Sequence, residues 1–257
     1  MAGILRAENV MRSKRHIPYF RALGILVLCV VLGPKWAQAQ TAQHYEGILI
    51  DTSGSISNKG AADDLFREYL GATRKLLSTE PANSRVWVST IAVDSFGGVR
   101  ELLKGWTPEA RGVFTDDLNR ARRQLVSAFE SKSSQLSPVA AGTDIVGGLW
   151  HVKALVESNP NAEGATKTIY VLSDMMNETA QFPMPMLLNL GPEQMLERAK
   201  VNRLIVPLKE YKVYVYGASP NGLTPQEWEA IKKFWELYFA SAGAELVSYS
   251  AECNVAR

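Results

Sequence analysis

An apolar segment, Glu46-Gly-Ile-Leu-Ile-Asp51, runs directly into Thr52-Ser-Gly-Ser55. The apolar part is short and nearly continuous, which is typical of a strand in a parallel sheet covered on both faces. The polar part places one carboxylate and two hydroxyls at alternate positions, where the chain must turn at Gly54. In open α/β sheets ligands bind at the carboxyl ends of the strands. The segment therefore predicts both a buried strand and a functional edge of the sheet.

Other segments along the chain repeat this alternation of strand and helix. Strand-like, β-branched or apolar patterns occupy residues 85–93, 168–173, 212–216 and 245–249. Helical spacing of apolar residues occupies residues 61–79, 108–131, 144–158 and 225–242. Residues 99–106 follow the turn at 95–98 and predict a hairpin with the second strand. These patterns predict an α/β fold with a doubly wound, mostly parallel sheet, helices on both faces and one antiparallel edge strand.

The first 39 residues have the features of an export signal. Five basic residues precede an apolar run at residues 22–33, and Ala37-Gln-Ala39 fits a signal-peptidase site. The run has 12 residues, which is short for a membrane-spanning helix. We therefore expect residues 1–39 to be a signal peptide and the protein to be periplasmic or secreted. An uncleaved anchor and a start at Met11 are the alternatives.

Removal of this segment changes the charge and cysteine content of the chain. The net charge of +2 becomes −3, because six basic residues and one acidic residue are lost. A mildly acidic chain excludes nucleic acid as a partner, and no stable membrane span is expected after cleavage. Cys253 is then the one remaining cysteine, so no internal disulfide is expected. It is either a harmless thiol or the site of an intermolecular disulfide. One domain is predicted over residues 44–251, with a tail at 252–257.

Two carboxylates and three hydroxyls are expected to meet at the strand ends. They are Asp51, Ser53 and Ser55 after the first strand, Thr143 before a helix, and Asp174 after a later strand. No His or Cys accompanies them, and hard oxygen ligands favour Mg²⁺ or another hard divalent ion. Two carboxylates neutralise a dication. An open coordination position would accept an Asp or Glu side chain of a partner.

The order and context of these five residues resemble the metal-ion-dependent adhesion site (MIDAS) of von Willebrand factor A (vWA) domains. The resemblance covers residues 44–251 and implies a Rossmann-like sheet, a Mg²⁺ ion (or Mn²⁺ or Ca²⁺) and binding of a protein ligand without catalysis. It also implies that Ser53, Ser55 and Thr143 bind the metal through their hydroxyls. Asp51 and Asp174 would bind it directly or through water.

Other readings of the same residues remain. Asp and Ser after strands often only cap backbone groups, and Asp144 is expected to favour a helix N-terminus and not to bind metal. The module could be a scaffold of the same fold without metal-dependent activity, or a metal-assisted hydrolase. Gly217-Ala-Ser-Pro-Asn-Gly222 misses the G-x-S-x-G pattern by one residue. We therefore predict that the protein is not an enzyme.

A methionine-rich stretch begins directly after Asp174. Met175, Met176, Met184 and Met186 lie in it, and flexible thioethers suit a surface that adapts to a partner. The prolines in the stretch argue against a regular helix over residues 180–190. We predict an apolar loop that contacts the partner around the metal. Alternatively, the loop folds back onto the neighbouring helices.

Overall fold

The computed structural model describes residues 44–53, 61–93, 95, 100–109, 115–138, 142–220 and 222–255, with the backbone alone at 61–64 and 115. All of these belong to one compact unit, Thr41–Arg257. The predicted signal peptide, the proposed ligand Ser55 and most of the turn at 95–98 lie outside the described residues. Within the described ranges, no helix has the length and apolar character that a membrane crossing requires.

Six strands form a single sheet. They are β1 (His44–Asp51), β2 (Ser84–Ile91), β3 (Glu101–Trp106), β4 (Thr166–Leu172), β5 (Tyr211–Tyr216) and β6 (Glu245–Ser250). Their order across the sheet is β3-β2-β1-β4-β5-β6. All neighbours are parallel except β3, which pairs antiparallel with β2 at the edge. The mostly parallel sheet and its antiparallel edge strand are confirmed.

Helices cover both faces of the sheet, as predicted. They are α1 (Ala61–Ser78), α2 (Thr115–Ser133), α3 (Ile145–Glu157), α4 (Met184–Leu190), α5 (Pro192–Val201) and α6 (Pro225–Ala242). Buried side chains of α1 and α2 pack on one face with Ile48 and Ile50 of β1. Those of α3 to α6 pack on the other face with Leu49. Because successive strand residues point to opposite faces, Leu49 packs on one face of the sheet while its neighbours Ile48 and Ile50 pack on the other.

A glycine brings α3 close to the central strand. A Cβ atom on Gly47 of β1 would lie 2.2 Å from Cγ1 of Val152, so any larger residue would push α3 away from the sheet. This close packing holds the helix that begins beside Thr143 against the strand that ends at Asp51. The two parts of the predicted site are thus positioned by the core.

Local signals set the ends of α6 at the residues that the sequence predicts. Thr224 Oγ1 accepts a hydrogen bond from Glu227 N, and Glu227 Oε2 accepts one from Thr224 N at 2.7 Å. Gly243 ends the helix in the left-handed conformation, with φ of 76°. Both capping interactions are formed by residues within one turn of the helix end, so they do not depend on what the helix packs against.

Two helix predictions were wrong in part. The helix predicted over 108–131 is α2, which begins at Thr115 in the described chain. The expectation that residues 180–190 form no regular helix is contradicted by α4, with Pro185 in its first turn. A proline there removes an N–H that has no partner within the helix, so it is tolerated. Pro192 begins α5 in the same way.

The segment predicted as a C-terminal tail packs against the fold as far as it is described. Val255 is buried in the apolar layer that contains α1, and Cys253 packs partly buried against the same layer. The packed structure therefore continues beyond β6.

Candidate metal centre

The central strands bring two of the predicted residues to one edge of the sheet. β1 and β4 are parallel neighbours, with Ile50 opposite Leu172, so Asp51 and Ser173 end up side by side. Ser173 Oγ donates a hydrogen bond to Asp51 Oδ2 at 2.6 Å. Asp174 follows Ser173 directly, and its charge acts on Asp51. The structure thus brings the two carboxylates together, as the sequence predicts.

Asp51 is held in a fixed orientation in the interior. Its side chain is fully buried, and its Oδ1 accepts a hydrogen bond from Ser53 N at 2.8 Å. Burial, and after it the negative charge of Asp174, raises the pKa of Asp51 from 3.8 to about 7. Hydrogen bonds from Ser173 and Ser53 act in the opposite direction without cancelling the rise. An added positive charge at this edge would relieve the repulsion between the two carboxylates.

Thr143 supplies a buried hydroxyl with no partner in the described part of the chain. Its side chain is fully buried, and Thr143 Oγ1 makes no hydrogen bond with any described residue. Its carbonyl oxygen accepts a hydrogen bond from Glu178 N at 2.7 Å, which joins the start of α3 to the segment after Asp174. A buried hydroxyl that lacks a partner costs free energy unless another group binds it.

The donor set fits a hard cation, although it contains few ionisable groups. Among the described residues, no group of three His, Cys, Asp or Glu side chains could hold a metal ion. The predicted site does not require one, since it combines Asp51 and Asp174 with hydroxyls. Ser53 is fully buried. Ser55, the fifth proposed ligand, lies outside the described residues, and metal binding stays a prediction.

The backbone after Asp174 adopts an unusual conformation. Met175 has φ of 64°, in the left-handed region that non-glycine residues rarely occupy. Three hydrogen bonds surround this turn: Met175 N donates to Ser173 Oγ, Met176 N donates to Asp174 Oδ1, and Trp235 Nε1 donates to Met175 O. Strained backbone is retained where surrounding contacts hold it, and it is frequent at functional sites.

Two tyrosines lie within electrostatic reach of Asp174. Burial, and after it the charge of Asp174, raises the pKa of Tyr69 and that of Tyr249 well above 10. Tyr69 donates its hydroxyl hydrogen bond to Gly217 O at 3.0 Å. Both phenols therefore stay neutral at ordinary pH.

Asp144 caps α3, as the sequence predicts. Its Oδ1 accepts a hydrogen bond from Gly147 N at 2.8 Å, and its Oδ2 accepts one from Ser95 N at 3.1 Å. With both oxygens used in this way, the residue anchors the helix and the loop after β2. The N-terminal turn of α3 is thereby fixed next to Thr143.

Sequence reasoning missed Ser173 and Asn177 as site-building residues. Asn177 is fully buried: its Oδ1 accepts from Ile145 N at 2.8 Å, and its Nδ2 donates to Phe182 O at 2.8 Å. In the sequence it is visible only as part of Asn177-Glu-Thr179, which matches a glycosylation sequon. Its distant partners have no local pattern that could have revealed this role.

The predicted methionine recognition loop packs back onto the core. Met175 and Met184 are fully buried, and Met176 and Met186 are partly buried against the same apolar cluster. Met175 and Met184 therefore offer no surface to a partner in this conformation, which contradicts the exposed loop that we expected. The physical reason is that α4 forms and packs Met184 into the same apolar cluster as α6, while Trp235 of α6 donates a hydrogen bond to the carbonyl oxygen of Met175. A partner contact through Met176 or Met186 stays a prediction.

Comparison with known proteins yields structural neighbours only. No protein-family model and no curated protein matches the chain. Matched solved structures include manganese-loaded TRAP of Plasmodium vivax (17% identity, TM-score 0.45), the VWA domain of SpRpn10 (13%, 0.44) and a mutant of the PilB minor pilin of Streptococcus sanguinis (15%, 0.49). In the same order, the matches cover 83%, 82% and 83% of this chain, and 70%, 89% and 58% of the matched chains.

For two other matched structures, the chain spans only 41% and 27% of their length. A VWA domain is thus among the structural neighbours. With identities and TM-scores this low, the likenesses establish neither family membership nor function.

Proposed function

We propose that this chain is an exported binding module in which a divalent metal at the strand ends captures an acidic group of a protein partner. The proposed ligands are Asp51, Ser53, Ser55, Thr143 and Asp174, and Mg²⁺ is the proposed ion, with Mn²⁺ and Ca²⁺ as alternatives. The bound ion would supply a positive centre for a carboxylate. No covalent chemistry is proposed.

The observation that carries the proposal is the buried hydroxyl of Thr143, which has no hydrogen-bond partner among the described residues and lies at the edge where two carboxylates meet. A structural threonine in the interior normally bonds a backbone carbonyl, as Thr73 Oγ1 does to Tyr69 O at 2.9 Å. A metal ligand must instead keep its lone pairs available. The pKa of Asp51, raised by burial and then by repulsion from Asp174, also supports the proposal, because a dication would neutralise both carboxylates.

Each described residue has a distinct role in this proposal. Ser173 and the backbone of Ser53 orient the Asp51 carboxylate from two sides. Asp174 is partly exposed to solvent, so a partner could reach the proposed metal from its side. Burial of Asp51 and Thr143 limits competition by water, which strengthens electrostatic contacts at this edge.

A hydrolase would need a general base at the same edge. His44, one of two histidines beyond residue 39, lies at the amino end of β1, the end opposite Asp51. His151 lies within α3, where burial lowers its pKa. Neither histidine lies where it could act as a base at the strand ends, and Asp51, whose pKa is about 7, is assigned here to the metal, so binding is the better proposal.

A substitution at Thr143 tests the metal assignment. Thr143→Val keeps the shape and removes the hydroxyl, whereas Thr143→Ser keeps the hydroxyl and serves as the matched control. We expect Thr143→Val to bind Mg²⁺ and Mn²⁺ at least tenfold more weakly by calorimetric titration, and Thr143→Ser to stay within about threefold of wild type. In chelator, Thr143→Val should be as stable as wild type or more so, because it removes a buried hydroxyl that lacks a partner.

Partner capture tests the remainder of the proposal. Proteins retained by the immobilised chain should be released by chelator and should not bind the Thr143→Val variant. Capture that is unaffected by both would favour the scaffold alternative. Turnover of a generic ester or phosphate that depends on Mg²⁺ would favour the hydrolase.

A further inference from the structure

A preformed cleft of about 710 Å³ opens beside Thr143. It lies between the first two turns of α3 and the segment 178–182 that follows Asp174. Most of its lining is apolar, and it includes Val146, Trp150, Phe182 and Leu204. Its size and character are those of a ligand pocket, so it can enclose an apolar group that reaches the strand ends.

Hydrogen bonds hold the outer wall of the cleft in place. Asn177 ties Phe182 O to the N-terminus of α3, and Phe182 N donates to Thr179 Oγ1 at 3.1 Å. Glu178 N donates a hydrogen bond to Thr143 O at 2.7 Å, which joins this wall to a proposed metal ligand. A wall fixed in this way needs little reordering when a ligand enters, which favours binding.

Among the described residues that line the cleft, the charges are of one sign. Two of these residues, Asp144 and Glu178, carry charged side chains, and both are acidic. Asp144 is engaged with Gly147 N and Ser95 N, whereas the Glu178 side chain is exposed at the rim. A ligand that complements this cleft would therefore carry an apolar group next to a positively charged one.

We infer that the cleft binds a segment of the protein partner in which an aliphatic or aromatic side chain is followed by Lys or Arg. The apolar side chain enters between Trp150 and Phe182, and the basic side chain pairs with Glu178. The inference rests on the proposed function only in taking the partner to be a protein, whose carboxylate would reach the neighbouring metal. The cleft itself needs no metal.

A minimal probe in the presence of chelator tests the cleft separately from the metal. The probe is acetyl-Phe-Arg-amide, with acetyl-Phe-Glu-amide as the oppositely charged control, titrated into the ¹⁵N-labelled protein. We expect the indole N–H of Trp150 and the amide of Phe182 to shift, with at least fivefold tighter binding of the arginine probe. Such a ligand should bind in the range up to about 20 mM.

Two variants with matched controls locate the binding. Glu178→Lys should reverse the preference between the two probes, and Ala180→Tyr should fill the mouth of the cleft and weaken both at least fivefold. Glu163→Lys and Ala128→Tyr change exposed residues elsewhere and should behave as wild type. The inference would be overturned by any one of three results: equal binding of both probes by the wild type, equal effects of Ala180→Tyr and Ala128→Tyr, or no shift of the Trp150 indole N–H. A parallel Mg²⁺ titration tests the metal, and its failure would leave a positive cleft result standing.

Discussion

Ser173 Oγ and Asp51 Oδ2 are joined by a 2.6 Å hydrogen bond between residues 122 positions apart in the chain. The bond links the ends of the two central parallel strands. Because Asp174 follows Ser173, the same link brings a second carboxylate to Asp51. Burial, and after it the charge of Asp174, raises the pKa of Asp51 to about 7. The acidic edge of the sheet is therefore a product of strand pairing, and its electrostatics make the first prediction.

The stability of the metal-free protein should fall as the pH rises towards 7. In the unfolded chain Asp51 loses its proton near pH 3.8, but in the fold it keeps it to about 7. Between these values the folded state binds more protons, so raising the pH favours unfolding. Asp51→Asn removes the charge, and in chelator at pH 8 it should melt at least about 3 °C above wild type, with no difference below pH 4.

Melting temperatures measured in chelator from pH 3.5 to 8.5 check this prediction. Glu163→Gln, at an exposed site, should show no such pH-dependent difference from wild type. With excess Mg²⁺ the order at pH 8 should reverse, because only the wild type then gains stability from the ion. If the melting temperatures of wild type and Asp51→Asn differ by the same amount at every pH, the raised pKa of Asp51 is contradicted.

Asn177→Ala should destabilise the protein by about 2–4 kcal/mol, because it leaves Ile145 N and Phe182 O without their buried partner. Asn189→Ala is the matched control, since Asn189 is exposed and makes one long bond of 3.5 Å to Pro185 O. Urea unfolding followed by tryptophan fluorescence measures both. A similar loss in the two variants would mean that Asn177 does not brace the site.

Two glycines with nearly equal φ angles separate backbone strain from crowding. Gly217 and Gly222 have φ of 76° and 78°, but a Cβ on Gly217 would lie 2.2 Å from Tyr69 Cε1, whereas one on Gly222 would meet no atom of the described residues within 4 Å. Gly222→Ala should therefore cost about 1 kcal/mol, from strain alone. Gly217→Ala should cost roughly 2 kcal/mol more, from overpacking against Tyr69. Equal losses in chemical denaturation would show that Tyr69 moves aside freely.

The thiol of Cys253 should react slowly. Burial, and after it the charge of Glu68 and a hydrogen bond to it, raises the pKa of Cys253 to about 12. In a Cys29→Ser background, iodoacetamide at pH 8 should modify Cys253 at least tenfold more slowly than glutathione, because little thiolate is present. Glu68→Gln should accelerate the reaction by lowering this pKa. Disulfide-linked dimers on a non-reducing gel of freshly exported protein would contradict an unreactive thiol.

Local patterns were sufficient for much of the framework. The apolar run before Asp51 predicted β1, and the Thr224–Glu227 capping box with Gly243 predicted both ends of α6. These features depend on residues within one strand or one turn, so the sequence carries them without reference to the rest of the chain. The positions of Asp51 and Asp174 after strands and of Thr143 before a helix could be predicted for the same reason, since each residue adjoins a recognisable element.

Long-range packing decided the rest. Met175 and Met184 resemble adaptable surface residues in the sequence, but both are buried in the fold: Met184 lies in α4, and Met175 lies in the turn after β4, where Trp235 donates a hydrogen bond to its carbonyl oxygen. Pro185 is tolerated because it falls in the first turn of α4. Asn177 acquires its role only when Ile145, 32 positions away, meets its side chain. The burial of the Thr143 hydroxyl, and its lack of a hydrogen-bond partner among the described residues, depend equally on the segments that surround it. Burial and hydrogen bonding between distant residues follow from the assembled fold, because chemical type alone does not specify which face a side chain presents or what it meets there.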